Sequence, residues 1–87
     1  MKLKKGFILH KSENEYIVVA TEEACKFFNG IIRLNFVGGE IVELLKDEIT
    51  QEKIIEKLLD KYDVKKDILE KDVSEIIDKL KSVGIIE

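Results

Sequence analysis

The sequence predicts an α+β domain with three antiparallel β-strands at the N-terminus followed by three α-helices. This is the layout of a winged helix-turn-helix domain with its strands placed before the helices. The apolar residues alternate with a period of two as far as Asn35, and afterwards they recur every three or four residues. The length of 87 residues is typical of one domain, so we assign residues 1–87 to a single unit.

The first two strands are predicted to form a β-hairpin. Phe7 to Lys11 and Tyr16 to Ala20 are short runs of β-branched and aromatic side chains, and the polar residues 12–15 between them favour a turn. Side chains alternate across a strand, so Phe7 and Leu9 share one face. The third strand is predicted over Ile31 to Asn35.

The segment between the second and third strands is predicted to contain a short helical turn and a tight turn. Thr21 precedes two glutamates, which is a favourable helix N-terminus, and Asn29-Gly30 favours a tight turn. Cys25, the single cysteine, cannot form an internal disulfide, which fits a reducing compartment. We interpret it as a small apolar side chain.

The remainder of the chain predicts three amphipathic helices. The first is expected over Gly38 to Asp47, and the second begins at Thr50. Asp67 and Glu70 have the spacing of a capping box for the third helix. Gly84 then suits a left-handed C-terminal residue, and the apolar pair 85–86 is expected to pack back on the core.

Composition excludes several classes of protein. Fifteen basic residues are interleaved with eighteen acidic ones for a net charge of −3, unlike the concentrated positive charge of nucleic-acid binders. No apolar run is long enough for a membrane span or signal peptide, so we expect a cytoplasmic protein. Cys25 and His10 are isolated and no phosphate-binding loop is present, so we expect no metal, no cofactor and no catalysis.

A spaced pattern covers most of the chain. It consists of Leu34-Asn35, Gly38, Ile41, Glu43-Leu44-Leu45, Thr50 through Tyr62, Asp72-Val73, Ile76-Ile77, Leu80 and Gly84-Ile85-Ile86. In this order the pieces resemble the PqqD-like family, the peptide chaperones also called RiPP recognition elements, over about residues 6 to 86.

The sequence departs from the family pattern at three places. Val37 stands where the family commonly has Thr or Ser, which leaves Asn35 as an alternative cap of the first helix. Asp47-Glu48 replaces a frequent Asp-Gly step, and residues 21–30 are longer than the usual hairpin turn. These departures concern the subfamily more than the fold.

The resemblance implies a binding function. Family members hold the leader segment of a ribosomally made precursor peptide and present it to a modifying enzyme, often a radical-SAM protein. The leader adds as a strand to the edge of the sheet, in the groove between the third strand and the third helix.

This interpretation predicts two sets of peptide-binding residues. The strand supplies Ile31, Ile32, Arg33, Leu34 and Asn35, and the third helix supplies Asp72, Val73, Ile76, Ile77, Lys79 and Leu80. Arg33 would meet an acidic leader residue, and Asp72 and Lys79 would lie at the rim. The apolar members of both sets suit the core equally well. Lys2, Lys4 and Lys5 are interpreted as solubilising, with steering of an acidic leader as the alternative.

Two other functions fit the same layout. A winged-helix DNA-binding regulator would insert the third helix into the major groove, but residues 67–81 carry more acidic than basic side chains. An adaptor for a folded protein is the second. The exposed strand edge also allows a monomer or a weak, strand-paired or strand-swapped dimer.

Overall fold

The protein folds as one antiparallel sheet followed by three helices, as the sequence predicts. The computed structural model describes residues 1–21 and 30–87. The strands are β1 (Phe7–Lys11), β2 (Tyr16–Ala20) and β3 (Ile31–Leu34), and the helices are α1 (Phe36–Leu44), α2 (Gln51–Lys61) and α3 (Lys66–Ser82). The strand order in the sheet is β1-β2-β3, so β1 and β3 are its two edges. The helical turn predicted after Thr21, and Cys25, lie outside the described residues.

The hairpin has the predicted bounds and facing. Ser12 closes its turn, because the backbone N–H of Ser12 donates to the Glu15 carbonyl at 2.9 Å. Phe7 is buried on the helix side, whereas the neighbouring Ile8 is 50% exposed on the other face. The alternation of the two faces is therefore the one that a period of two requires.

Helix α1 starts earlier than Gly38, the start that apolar periodicity predicts. Asn35 caps it in extended conformation, and its Oδ1 accepts the backbone N–H of Gly38 at 2.8 Å. The alternative expectation that Asn35 is the cap is confirmed, and the helix gains Phe36 and Val37 as its first residues. It ends at Leu44 and not at Asp47.

The predictions for the starts of α2 and α3 differ in how well they agree with the structure. Helix α2 begins one residue after the predicted start, because Thr50 is its cap: the Oγ1 of Thr50 accepts the backbone N–H of Lys53 at 3.2 Å. The predicted capping box of α3 is wrong: Lys65 occupies the cap position without a side-chain hydrogen bond. The N–H of Leu69 already donates to the carbonyl of Lys65, which places Asp67 inside the first turn. There its carboxylate still faces the positive end of the helix dipole.

The core lies between one face of the sheet and the helices. Helix α1 packs against all three strands and against α3, and α3 packs against α2. The largest completely buried side chains are Ile41, Leu45, Ile54, Leu58, Ile77, Leu80 and Ile85. Ile85 and Ile86 are buried as predicted, after Gly84 turns the chain with a φ of 78°.

Candidate functional site

The outer edge of β3 presents backbone hydrogen-bonding groups. Thr21 donates to Gly6 and Ser12 donates to Glu15, which fixes which residues of β1 and β2 exchange hydrogen bonds. Because the direction of the backbone groups alternates along a strand, Tyr16 and Val18 must bond in the opposite direction, toward β3. Those residues of β2 lie opposite the inner residues of β3, Leu34 and Ile32.

The remaining two residues of β3 therefore point their N–H and C=O groups outward. They are Ile31 and Arg33, and no described residue pairs with them. Their side chains are exposed on the sheet face away from the helices, with Ile31 at 61% exposure. Ile32 and Leu34 are instead buried among the core residues. A four-residue edge thus offers two donors and two acceptors to another strand.

A groove lies between the residues that follow β3 and helix α3. It is lined by Asn35 and Val37, which follow β3, and by Asp72, Glu75 and Ile76 on α3. Val37 and Ile76 are half-buried apolar side chains, whereas the two acids are exposed. The groove has an apolar floor and an acidic rim on its helix side.

The predicted residues of α3 fall into two groups. Val73, Ile77 and Leu80 are at most 1% exposed, so their side chains belong to the core and do not line the groove. Asp72 and Lys79 are exposed, and Ile76 is half-buried on the same stripe of the helix. The surface that another molecule can touch is therefore this margin of the helix seam.

Asn35 contributes to the groove mainly by fixing its shape. Its side-chain oxygen caps α1, and its carbonyl accepts the N–H of Gly39 at 2.9 Å, so both groups are already engaged. Sequence reasoning missed Val37 and Glu75 as lining residues. The signal for Glu75 was present, because Asp72, Glu75, Ile76 and Lys79 recur at helical spacing along one stripe.

Two titratable groups with raised pKa values, Lys61 and Tyr62, lie apart from the groove. The hydrogen bond and charge of Glu40 raise the pKa of Lys61, and partial burial together with a hydrogen bond to Glu40 raises the pKa of Tyr62. Glu40 lies on α1 and the other two residues lie at the end of α2. This arrangement joins two helices and lies apart from the residues that line the groove.

The described part of the chain offers little for metal or membrane chemistry. Over residues 1–21 and 30–87, no group of three or more His, Cys, Asp or Glu side chains is placed to hold a metal ion. Across the same residues, no helix is both long and apolar enough to cross a bilayer.

Comparisons with known proteins agree with one another. The family model described as "Coenzyme PQQ synthesis protein D (PqqD)" matches residues 15–86. A solved structure described as "TbiB1 in Complex with the TbiA(beta) Leader Peptide" has 20% identity and a TM-score of 0.78, covering 100% of this chain and 95% of that one. Another, "Lasso peptide synthetase B1 complexed with the leader peptide", has 18% identity and a TM-score of 0.72, covering 97% and 93%. No curated protein sequence matches the chain.

Proposed function

Because the chain belongs to the PqqD family, we propose that it binds the leader segment of a ribosomally synthesised precursor peptide and presents it to a modifying enzyme. The observation that carries this proposal is the outward direction of the Ile31 and Arg33 backbone groups beside the groove on α3. Both similar solved structures are described as complexes with leader peptides.

The leader adds to the sheet as a fourth strand along β3. An incoming strand lies roughly 4.8 Å from its neighbour and exchanges main-chain hydrogen bonds with it. Ile31 and Arg33 supply the partners on this side. Main-chain pairing gives affinity with little demand on sequence, so side chains must select the leader and its register.

Side-chain selection differs on the two faces of the added strand. On the helix side, an apolar leader residue contacts Val37 and Ile76, and a basic or polar neighbour suits the carboxylates of Asp72 and Glu75. On the opposite face, Arg33 is placed for an acidic leader residue. Lys79 lies further along the same helix stripe and extends the contact surface.

The protein acts in this proposal as a carrier and not as a catalyst. The modification is made by a partner enzyme, of which a radical-SAM protein is one class. The DNA-binding alternative gains nothing from the structure: α3 carries five acidic and four basic residues, and a helix of net negative charge is unfavourable in a groove flanked by phosphates.

Two substitutions test the site with the cognate leader peptide and NMR shift mapping. Arg33→Pro removes an outward N–H without removing a bond to β2, and we expect leader affinity to fall by about tenfold or more. Ile76→Asp places a charge on the groove floor and should weaken binding by a similar factor of roughly tenfold. Shifts in the unsubstituted protein should cluster on residues 31–35 and on the exposed stripe of α3.

Matched controls separate binding from folding. Leu9→Pro makes the same change on the opposite edge of the sheet, and Ile68→Asp makes the same change at a 52% exposed position near the start of α3. Both should leave leader affinity unchanged, with circular dichroism confirming the fold of every variant. Leader shifts on residues 7–20, or binding no tighter than roughly millimolar, would refute the proposal.

A further inference from the structure

The second edge of the sheet, the outer side of β1, also presents backbone N–H and C=O groups that point outward. The backbone N–H and C=O groups of Ile8 and His10 point toward β2. Because the direction alternates along the strand, those of Phe7, Leu9 and Lys11 point away from the sheet. Among the described residues, none pairs with these outward groups. The outer edge of β1 therefore offers three donors and three acceptors, on the side of the sheet opposite the leader site.

Positive charge is concentrated beside this edge. The first eleven residues contain Lys2, Lys4, Lys5 and Lys11 and no acidic residue, although the whole chain has a net charge of −3. A groove continues from the start of β1 and is lined by Lys2, Leu3, Lys4, Lys5, Gly6, Phe7, Lys46 and Glu87. Four of these eight lining residues are lysines and one is acidic. Lys46 already pairs with Glu43 at 3.1 Å, and the other lysines keep an excess of positive charge in the groove, which favours negative charge in a ligand.

An exposed apolar side chain lies between the basic groove and the hairpin turn. Ile8 is 50% exposed on the outer face of β1, where a neighbouring strand would place a side chain directly beside it. The acids nearest in sequence, Glu13 and Glu15, belong to the turn at the far end of the strand. The edge is thus mainly basic at its start and apolar in its middle, and at its turn end Lys11 lies next to these acids.

We propose that the outer edge of β1 is a second strand-docking site, which takes an extended, acidic segment of a partner protein. The segment pairs with Phe7, Leu9 and Lys11, contacts Ile8, and places its carboxylates in the groove of Lys2, Lys5 and Lys46. With β3 occupied by the leader, the sheet then bridges two polypeptides at opposite edges. This inference does not require that the leader binds to β3.

The test uses a synthetic eight-residue peptide of alternating valine and glutamate, titrated into ¹⁵N-labelled protein at low salt. We expect shift changes and slowed amide exchange at Phe7, Leu9 and Lys11, and loss of binding as salt is raised. The matched peptide with lysine in place of glutamate should not bind. If neither peptide binds at millimolar concentration, or if both bind equally, the proposal is overturned.

Two variants locate the site. Leu9→Pro should weaken binding by about tenfold, because it removes one outward N–H. The double variant Lys5→Glu with Lys46→Glu reverses two charges of the groove and should weaken binding several-fold. Lys46→Glu also removes the Lys46–Glu43 ion pair at 3.1 Å. The control is therefore Lys53→Glu on α2, which removes the equivalent Lys53–Glu56 pair at 3.4 Å and should not weaken binding. Undiminished binding by the double variant contradicts the proposal. So does a dimer in sedimentation analysis that Leu9→Pro abolishes, because the edge then serves a second copy of this chain.

Discussion

Tyr16 and Gly39 pack together where β2 meets α1. A Cβ atom added at Gly39 would lie 2.0 Å from Cγ of the Tyr16 ring, far inside contact distance. The same ring meets Phe36 edge-on, with centroids 5.9 Å apart. Cγ joins the ring to the strand and cannot swing aside as the end of a flexible side chain can. Gly39 is therefore needed for its lack of a side chain.

We predict that Gly39→Ala destabilises the protein by about 1–3 kcal/mol, the usual cost of overpacking. In an exposed helix the same change would stabilise by roughly 0.5–1 kcal/mol through helix propensity, so the sign of the effect is informative. Urea denaturation followed by circular dichroism measures it. In a Tyr16→Ala background the alanine should become neutral or stabilising. A stabilising effect of Gly39→Ala in the unsubstituted protein would contradict the close packing.

The packing of individual residues also explains which features could not be predicted from the sequence. The glycine pair at 38–39 looks like a helix boundary, because glycine lowers helix propensity. Whether the helix tolerates it depends on Tyr16, which is distant in sequence. The same limit applies on α3: periodicity identifies an apolar seam, but only the packed structure separates the buried Val73 and Ile77 from the half-exposed Ile76.

At the scale of elements, Glu40 in the first half of α1 connects this helix to the end of α2 through its pair with Lys61. The side chain of Glu40 is only 17% exposed, and its carboxylate accepts a hydrogen bond from Lys61. The pair raises the pKa of Lys61 from its ordinary value of 10.5. Burial first, and then the hydrogen bond to Glu40, raises the pKa of Tyr62 from 10.0. Both raised values mean that the folded state holds these protons more tightly than the unfolded state.

This linkage predicts how stability depends on pH. The contribution of both groups is complete below their unfolded pKa values and is lost as the pH rises through the higher folded values. The free energy of unfolding should therefore fall above about pH 10. In Glu40→Gln the fall should be shallower. Compared from about pH 8 to about pH 11, the difference between the two proteins should be constant at first and should narrow above about pH 10. Urea denaturation across that range measures it, and a constant difference would contradict the assignment.

Element boundaries show which local signals are sufficient. The sheet and the start of α2 follow from alternation and from the Thr50 cap, which are local properties. Sequence alone left two possible starts for α1, at Asn35 or at the glycines. The helix starts after Asn35, because the side chain of Asn35 accepts the Gly38 N–H. For α3, the Lys66–Glu70 pair at 3.8 Å belongs to a helix that begins before Asp67, so a correctly spaced capping box was present but unused.

At the scale of the whole molecule, residues near both ends of the chain join the sheet side to the helices. Leu3 forms an antiparallel bridge with Ile86, and its N–H donates to the carbonyl of Leu45 at 2.8 Å. The N–H of Lys4 donates to the carbonyl of Ile85, whose side chain is completely buried. These residues lead directly into β1, so the edge proposed as a second docking site is held in place by the core.

We predict that Ile85→Ala destabilises the protein by about 2–5 kcal/mol, the range for truncating a buried aliphatic side chain. Small domains have roughly 5–15 kcal/mol in total, so this is a large share. The control Ile68→Ala, at a 52% exposed position, should cost less than about 0.5 kcal/mol. Hydrogen exchange distinguishes two mechanisms. If Ile85 holds the sheet and the helices together, amides in β2 and α3 should lose protection together with those of Leu3 and Lys4. Loss of protection confined to residues 1–5 would show instead that the terminal segment is peripheral to the fold.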